Sequence, residues 1–283
     1  MSSSTHDTPQ RRPRKPIKTW QRVLFHWRLP LVIVLVLMVL SGVLVHTVSS
    51  RLDEQKQAKQ KQADKVAEEM ITYEEAIVDA LQAGQDETHE LVCLTKEDGR
   101  VTYDAETDRV QLVFWTNQAA ENFVKDSQVT LEEYTYAYAD LELATWGAAN
   151  KDVLKNSKDA RLTQLFGLPE SAKGTTFVVA SVTPERIWRP AYQPDAQLNK
   201  MSLAFEETVD QDFISWFDGE ITANYFTTPR PWTRLGYTYD WGKPGGDHYG
   251  VTEFVIPSGT KITVKDTFTN DEMVTRLRKG KLQ

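Results

Sequence analysis

The residues best suited to chemistry lie together in one stretch of the chain, residues 226–264. Rings supply contact area and charged groups supply orientation, so a mixture of both predicts a binding cleft. The alternative is a hairpin whose rings pack the core, with its arginine and aspartate paired on the surface. The candidate binding residues in this stretch are Trp232, Arg234, Tyr237, Tyr239 and Asp240, and Glu253 lies on the strand-like run that follows.

Other site chemistries find little support. The five histidines are scattered and no pair has the spacing of metal ligands, so we expect no metal site. Lys243 is followed by Pro-Gly-Gly, which is a turn and not a phosphate-binding loop. Cys93 is the single cysteine and lies in an apolar run, which favours a buried structural side chain over a nucleophile.

Charge is unevenly distributed along the chain. Seven basic residues and no acidic one lie within 11–28, although the protein carries a net charge of −7. The rest of the chain is therefore acidic, which excludes nucleic acid as the expected partner because phosphate binding needs a cationic surface.

Residues 29–48 form an uncharged apolar run that is long enough to cross a bilayer as a helix. Trp20 and Trp27 precede it together with basic residues, a pattern typical of the cytoplasmic boundary. A cleaved signal peptide is the alternative, but it has a shorter apolar region and a small-residue cleavage site, which this chain lacks. We expect a single-pass protein of the cell membrane with residues 1–28 in the cytoplasm and the C-terminal domain outside, contacting lipid through 29–48.

The following segments predict a stalk and then a domain. Residues 49–83 are read as a helical stalk or linker, and the apolar stripe within 63–83 predicts an amphipathic helix that docks on the domain or on a second copy of the chain. Residues 84–283 form the domain. Within it, strand patterns fall near 89–95, 100–115, 175–182, 231–239, 249–256 and 260–268, and helical patterns at 117–126, 148–166 and 205–221. Strands and helices do not alternate regularly, so the expected class is α+β with a mixed or antiparallel sheet.

Four segments together resemble a family of uncharacterised bacterial secreted or membrane-attached proteins. They are RLTQLFGLPES, TTFVVASVTPERIWRP, PWTRLGYTYDWG and GVTEFVIPSGTKITV. Members of that family have cysteines after the Arg-Pro step, where this chain has Ala191 and Tyr192. The resemblance implies a compact domain over about 90–268 and assigns no activity.

A second resemblance concerns EFVIPSGTKITV, which is similar to the glutamate strand of ADP-ribosyltransferases of the Arg–Ser–Glu type. The resemblance implies Glu253 as the catalytic carboxylate, Arg189 as the ligand of the NAD phosphates and Thr228 on the Ser/Thr strand. The Ser-x-Ser element is missing, and Val251 stands where arginine-specific members have an acid.

Two hypotheses follow from the sequence. The first is a membrane-anchored domain outside the cytoplasm that binds a ligand or a protein and needs no cofactor. The alternative is an enzyme that uses NAD, with Glu253 stabilising an oxocarbenium-like transition state.

Overall fold

A computed structural model of the chain describes residues 19–84, 89–172 and 174–282, with side chains from residue 31 onward. The chain divides into two compact units between Lys65 and Val66. The first unit contains most of helix α1 (Thr19–Glu69). From Leu31 onward, α1 includes a window long and apolar enough to cross a membrane, and none of that window is buried. The helix is therefore compatible with a membrane anchor. Most of the predicted tail, residues 1–18, lies outside the described residues.

The predicted helix at 63–83 is in fact two helices. Helix α1 ends at Glu69 and α2 covers Tyr73–Leu81. Thr72 begins α2 with a capping box: its hydroxyl accepts the Glu75 N–H at 3.2 Å, and its own N–H donates to the Glu75 carboxylate at 2.8 Å. Helix α2 buries Ala76 and Ala80 against rings of the second unit, so this helix does pack on the domain.

The second unit contains an antiparallel sheet. In the described part of the chain it has eight strands in the order β3-β8-β5-β2-β4-β7-β6, with β1 beside β2. The strands are β1 (Tyr103–Asp104), β2 (Arg109–Thr116), β3 (Gln128–Thr130), β4 (Thr135–Ala139), β5 (Thr176–Val182), β6 (Tyr237–Tyr239), β7 (Tyr249–Ile256) and β8 (Lys261–Thr269). With its helices, the unit is α+β, which confirms the predicted class.

Both faces of the sheet are covered. On one face lie α3 (Asp140–Ala149), α4 (Lys151–Leu165) and α6 (Asn270–Leu277), whose apolar side chains pack on alternate residues of β2, β5 and β7. The other face is covered by irregular segments that contribute Val92, Leu94, Ile187 and Ala196. This double burial explains why every residue of β5 is buried and why its sequence, TFVVASV, shows no regular alternation of polar and apolar residues.

Some of the predicted elements are wrong. Residues 89–95 form no strand, because their amide groups donate to separate side chains instead of to the backbone of one neighbouring strand. The Val92 N–H donates to the Thr252 hydroxyl, and the Leu91 N–H donates to the Asn199 side chain. Residues 117–126 contain only a short 3₁₀ turn, Ala120–Asn122, before β3. The predicted strand at 231–239 shortens to β6, since Arg234 and Gly236 have φ angles of 62° and 91°.

The remaining helix, α5 (Gln211–Thr222), begins later than the predicted 205–221. Asp210 caps it by accepting the Asp212 N–H at 2.7 Å. The last turn of α5 continues as a π-helical segment, Ala223–Thr227. Such wide turns are found mostly at functional positions.

Candidate functional site

Glu253 lies in the middle of β7 and points to the helix-covered face of the sheet. Tyr138 of β4 lies directly opposite it, and opposed residues of an antiparallel pair share a face. Tyr138 packs there with Phe166 and Val251. Glu253 is only 3% exposed, so its carboxyl has left bulk water.

The surroundings of Glu253 bring its pKa close to neutrality. Burial raises the pKa from 4.5 to about 7; Arg230 counteracts this effect and the negative charge of Glu220 adds to it. The indole N–H of Trp232 also lowers the pKa, although it forms no hydrogen bond of ordinary geometry within the described residues. This contribution is small, because a poorly aligned N–H stabilises a carboxylate weakly.

Helix α5 and its π-helical continuation position the charged partners of Glu253. The widened turn places Asn224 so that its backbone carbonyl accepts the Arg230 N–H at 2.9 Å. The Asn224 side-chain oxygen also accepts the Nε–H of Arg230. The guanidinium carbon then lies 4.4 Å from the centre of the Tyr136 ring, a cation–π arrangement. Arg230 is thus held from two directions.

Glu220 completes the cluster from the last full turn of α5. Its Oε2 accepts hydrogen bonds from the Tyr136 hydroxyl at 2.6 Å and the Asn224 amide at 3.1 Å, and lies 3.7 Å from Arg230 Nη2. Burial raises the pKa of Tyr136 well above its usual value despite Arg230, so the phenol keeps the proton that it donates.

The acidic neighbours in turn hold the proton of Arg230. Burial acts to lower the pKa of Arg230, but Tyr136, Glu253 and Glu220 more than offset this and raise it. Arg230 is therefore a permanent cation. The cluster contains one cation, one carboxylate that is well supplied with donors, and one carboxyl, Glu253, whose charge changes near neutral pH.

A cavity of about 360 Å³ opens against this cluster. Its volume falls within the range of about 300–1,000 Å³ that is typical of small-molecule pockets. Aromatic rings form one part of its walls, with Tyr138 stacked on Phe166 at a ring distance of 4.1 Å. The rings that line it are Phe114, Trp115, Phe123, Tyr134, Tyr136, Tyr138 and Phe166, and the charged residues are Arg230, Glu132 and Glu133. We call this space the Arg230 cavity.

The outer rim of the Arg230 cavity is polar. Asn117, Gln118, Glu132 and Glu133 line it and are accessible to solvent. Neither Nη nitrogen of Arg230 donates a hydrogen bond to a described residue, and the side chain is 16% exposed. The arrangement can therefore hold a molecule with a flat apolar body between the rings and an acceptor group on the guanidinium.

Arg189, a sequence candidate, lies on the other face of β7. Its guanidinium is 5.9 Å from the centre of the Phe254 ring, and Phe254 alternates with Glu253 along the strand. Arg189 is fully buried and donates to backbone carbonyls, among them Val92 at 2.7 Å and Leu198. On that face its hydrogen bonds connect irregular segments of the chain, and the structure does not bring Arg189 close to Glu253.

Asp240 and Tyr239 make internal contacts. Asp240 receives two hydrogen bonds from Arg161, at 2.7 Å and 2.6 Å, and both side chains are almost fully buried. Tyr239 donates to Asp79 of α2 at 2.6 Å and stacks on His248. These contacts join α4, α2 and the hairpin that leads into β7. Asp240 is thus paired with Arg161 in the interior and not with Arg234 on the surface.

The other candidates are divided between two regions. Arg234 donates to the Leu81 carbonyl at 2.9 Å, and Tyr237 lies edge-on to His89, so both face the α2 side of the domain. Trp232 is buried against Phe217 beside Glu253. Thr228 is exposed, with its hydroxyl on the Ala223 carbonyl at 3.3 Å. Of the sequence candidates, the structure brings Trp232 to Glu253.

Sequence reasoning missed Arg230, Glu220 and Asn224. Arg230 lies within the aromatic stretch, between Pro229 and Pro231, but nothing in its neighbours distinguishes it from Arg234. The Tyr136 and Tyr138 pair did offer a signal, because residues two apart on a strand share a face. Glu220 and Asn224 are four apart on a helical pattern, which also places them on one side.

Within the described residues, no group of three or more potential metal ligands occurs. Comparison of the chain with family models, curated proteins and solved structures finds no match. The two resemblances drawn from the sequence therefore stay predictions.

Proposed function

We propose that this chain is a single-pass membrane protein whose globular unit binds a small organic ligand in the Arg230 cavity. The observation that carries the proposal is the cavity itself, where aromatic rings and polar groups surround one fixed cation whose Nη nitrogens donate no hydrogen bond to a described residue. A few convergent polar groups in an aromatic pocket are typical of ligand sites.

Membrane attachment is supported by the exposed apolar window of α1. A soluble protein rarely leaves so long an apolar surface in water. The basic residues before the span favour a cytoplasmic N-terminus, and the ligand site would then face the outside. A reporter that is active only outside the cytoplasm should be active when it is fused after Gln283. An inactive fusion of normal abundance would contradict the proposed orientation and place the globular unit in the cytoplasm.

Ligand binding is tested with the full chain in lipid nanodiscs. The probes are benzoate, cinnamate and indole-3-propionate, together with their primary amides, followed by saturation-transfer NMR. Gln118→Trp places a large ring at the rim of the cavity and should abolish binding. Glu121→Trp, on the exposed 3₁₀ turn away from the rim, is the matched control and should bind normally. If none of the probes binds the unmodified protein, or if Gln118→Trp binds them as well as the control, the proposal is refuted.

The NAD hypothesis stays a sequence prediction. It assigned the NAD phosphates to Arg189, which lies across the sheet from Glu253, and no observation in the structure favours this hypothesis over ligand binding.

A further inference from the structure

We infer that the ligand of the Arg230 cavity is a monocarboxylate with a flat apolar body, and that its binding is coupled to the uptake of one proton by Glu253. This inference rests on the proposed function, because it names the ligand class and the regulation of the same site.

The carboxylate follows from how Arg230 is held. Asn224 takes its Nε–H and the Tyr136 ring covers its plane, so the guanidinium cannot turn freely. Nη1 makes no hydrogen bond to a described residue, and Nη2 lies 3.7 Å from Glu220 Oε2, an ion-pair contact longer than a hydrogen bond. Both can still donate to a ligand, and their planar fork matches the two oxygens of a carboxylate. A neutral amide offers one acceptor oxygen and matches the fork less well.

The flat body follows from the walls. Tyr138 and Phe166 are stacked with their planes 5° apart, and Trp115 lies 6.1 Å from Phe166. The Trp115 N–H already donates to Asn270 at 2.9 Å, so the indole offers an apolar ring to the cavity. Rings of this kind pack well against a planar apolar group.

Proton uptake follows from the charge count around one cation. Arg230 already faces Glu220 and Glu253, and a ligand carboxylate adds a third negative group in a region of low dielectric. Glu132 and Glu133 on the solvent-exposed rim of the cavity add further negative charge. Protonation of one carboxyl reduces this excess of negative charge around Arg230. The groups that face Glu253 are Tyr136 and Tyr138 from β4, Glu220 from α5, and Arg230 and Trp232 from the segment after the π-helical turn.

Glu253 is the carboxyl that takes the proton. Glu220 already accepts two hydrogen bonds at its Oε2, from Tyr136 and Asn224. No described residue donates a well-formed hydrogen bond to Glu253, whose pKa already lies near 7 before a ligand arrives. A bound anion raises that pKa further, so binding draws a proton from solution.

The test is isothermal titration calorimetry of the full chain in nanodiscs with cinnamate at pH 8, in phosphate and in Tris. The dependence of the heat on the buffer gives the number of protons taken up. We expect close to one proton, and a dissociation constant that rises about tenfold for each pH unit above 7.5 until the ligand-bound pKa is reached. Glu253→Gln is the matched variant: it should bind cinnamate with no proton uptake and little pH dependence.

The outcomes separate this inference from the proposed function. If cinnamate binds without proton uptake, or if Glu253→Gln takes up the same number of protons, the coupling is refuted. If cinnamamide binds as tightly as cinnamate, the carboxylate assignment is refuted while the cavity stands as a ligand site. If neither compound nor any other probe binds, the inference and the proposed function both fail. Circular dichroism of each variant checks that it is folded.

Discussion

Glu253→Gln should change how the stability of the protein depends on pH. The folded protein raises the pKa of this carboxyl from 4.5 to about 7, so between these values the unfolded chain binds fewer protons than the folded protein. Stability therefore falls as pH rises through this window. At about 1.4 kcal/mol for each pH unit of displacement, ionising Glu253 costs about 3 kcal/mol of folding free energy, most of which develops between pH 5 and pH 8.

Glutamine does not titrate, so Glu253→Gln removes that loss. We expect the difference in unfolding free energy between the variant and the unmodified protein to become more favourable to the variant by about 2–3 kcal/mol between pH 5 and pH 8. Any fixed cost of placing an amide at this position cancels in the comparison of the two pH values. Urea unfolding of the full chain in nanodiscs, followed by tryptophan fluorescence, measures the difference.

Glu142 provides the matched comparison. Burial raises its pKa to about 7 as well, against the opposing hydrogen bonds from Thr252. Thr252 points away from the Glu253 side of β7, so the two carboxyls lie on opposite faces and their effects should add. A stability difference for Glu253→Gln that is the same at pH 5 and pH 8 would refute the assignment of Glu253 as a buried carboxyl that titrates near neutrality.

Three further changes test the packing and the anchor. Asp240→Asn leaves the buried Arg161 without its charge partner and should lower the unfolding free energy by about 3–5 kcal/mol in urea unfolding. Gly236→Ala should cost about 3 kcal/mol, because φ is 91° and a Cβ would overlap the Arg189 side chain. Leu37→Arg places a charge within the apolar window and should shift the protein out of the alkali-resistant membrane fraction, at an insertion cost of about 2.5–3.5 kcal/mol.

Each of these changes has a control in the same chain. Asp271→Asn removes an exposed ion pair with Lys158 and should cost less than about 1 kcal/mol. Gly245→Ala shares a positive φ but has open space around it, so it should cost about 1 kcal/mol. Leu52→Arg lies outside the predicted span and should leave membrane association unchanged. If a control variant lost as much stability, or as much membrane association, as its test variant, the structural reason given for that test variant would be contradicted.

Local patterns in the sequence were enough to predict the class and the central strands. The strand pattern at 175–182 is a local signal and forms β5 where expected, and the turn after Asp104 that joins β1 to β2 is also stabilised locally. The Asp104 carboxylate accepts the Glu106 N–H at 3.0 Å, which stabilises that turn without long-range help. Helix α6 was missed although Thr269 and Glu272 form a capping box that the sequence displays.

The site was harder to predict because its members come together only in the fold. Glu253 was singled out from a motif, but its partners lie on β4, on α5 and in the Pro-flanked turn after α5. In the sequence, Arg189 looked like a suitable partner of Glu253. Only the alternation of side chains along β7, combined with the sheet register, shows that the two residues lie on opposite faces of the sheet. Charge and aromatic content singled out the stretch that contains both Arg230 and Glu253, but they could not select which arginine faces the cavity.

The most direct test of the ligand site is a crystal structure of the full chain with cinnamate. The account predicts the carboxylate on both Nη nitrogens of Arg230, at about 2.7–2.9 Å, with the ring of the ligand beside Tyr138 and Phe166. Cinnamate bound elsewhere while the Arg230 cavity holds only solvent, or an Arg230 whose Nη groups are taken by protein carboxylates, would contradict it.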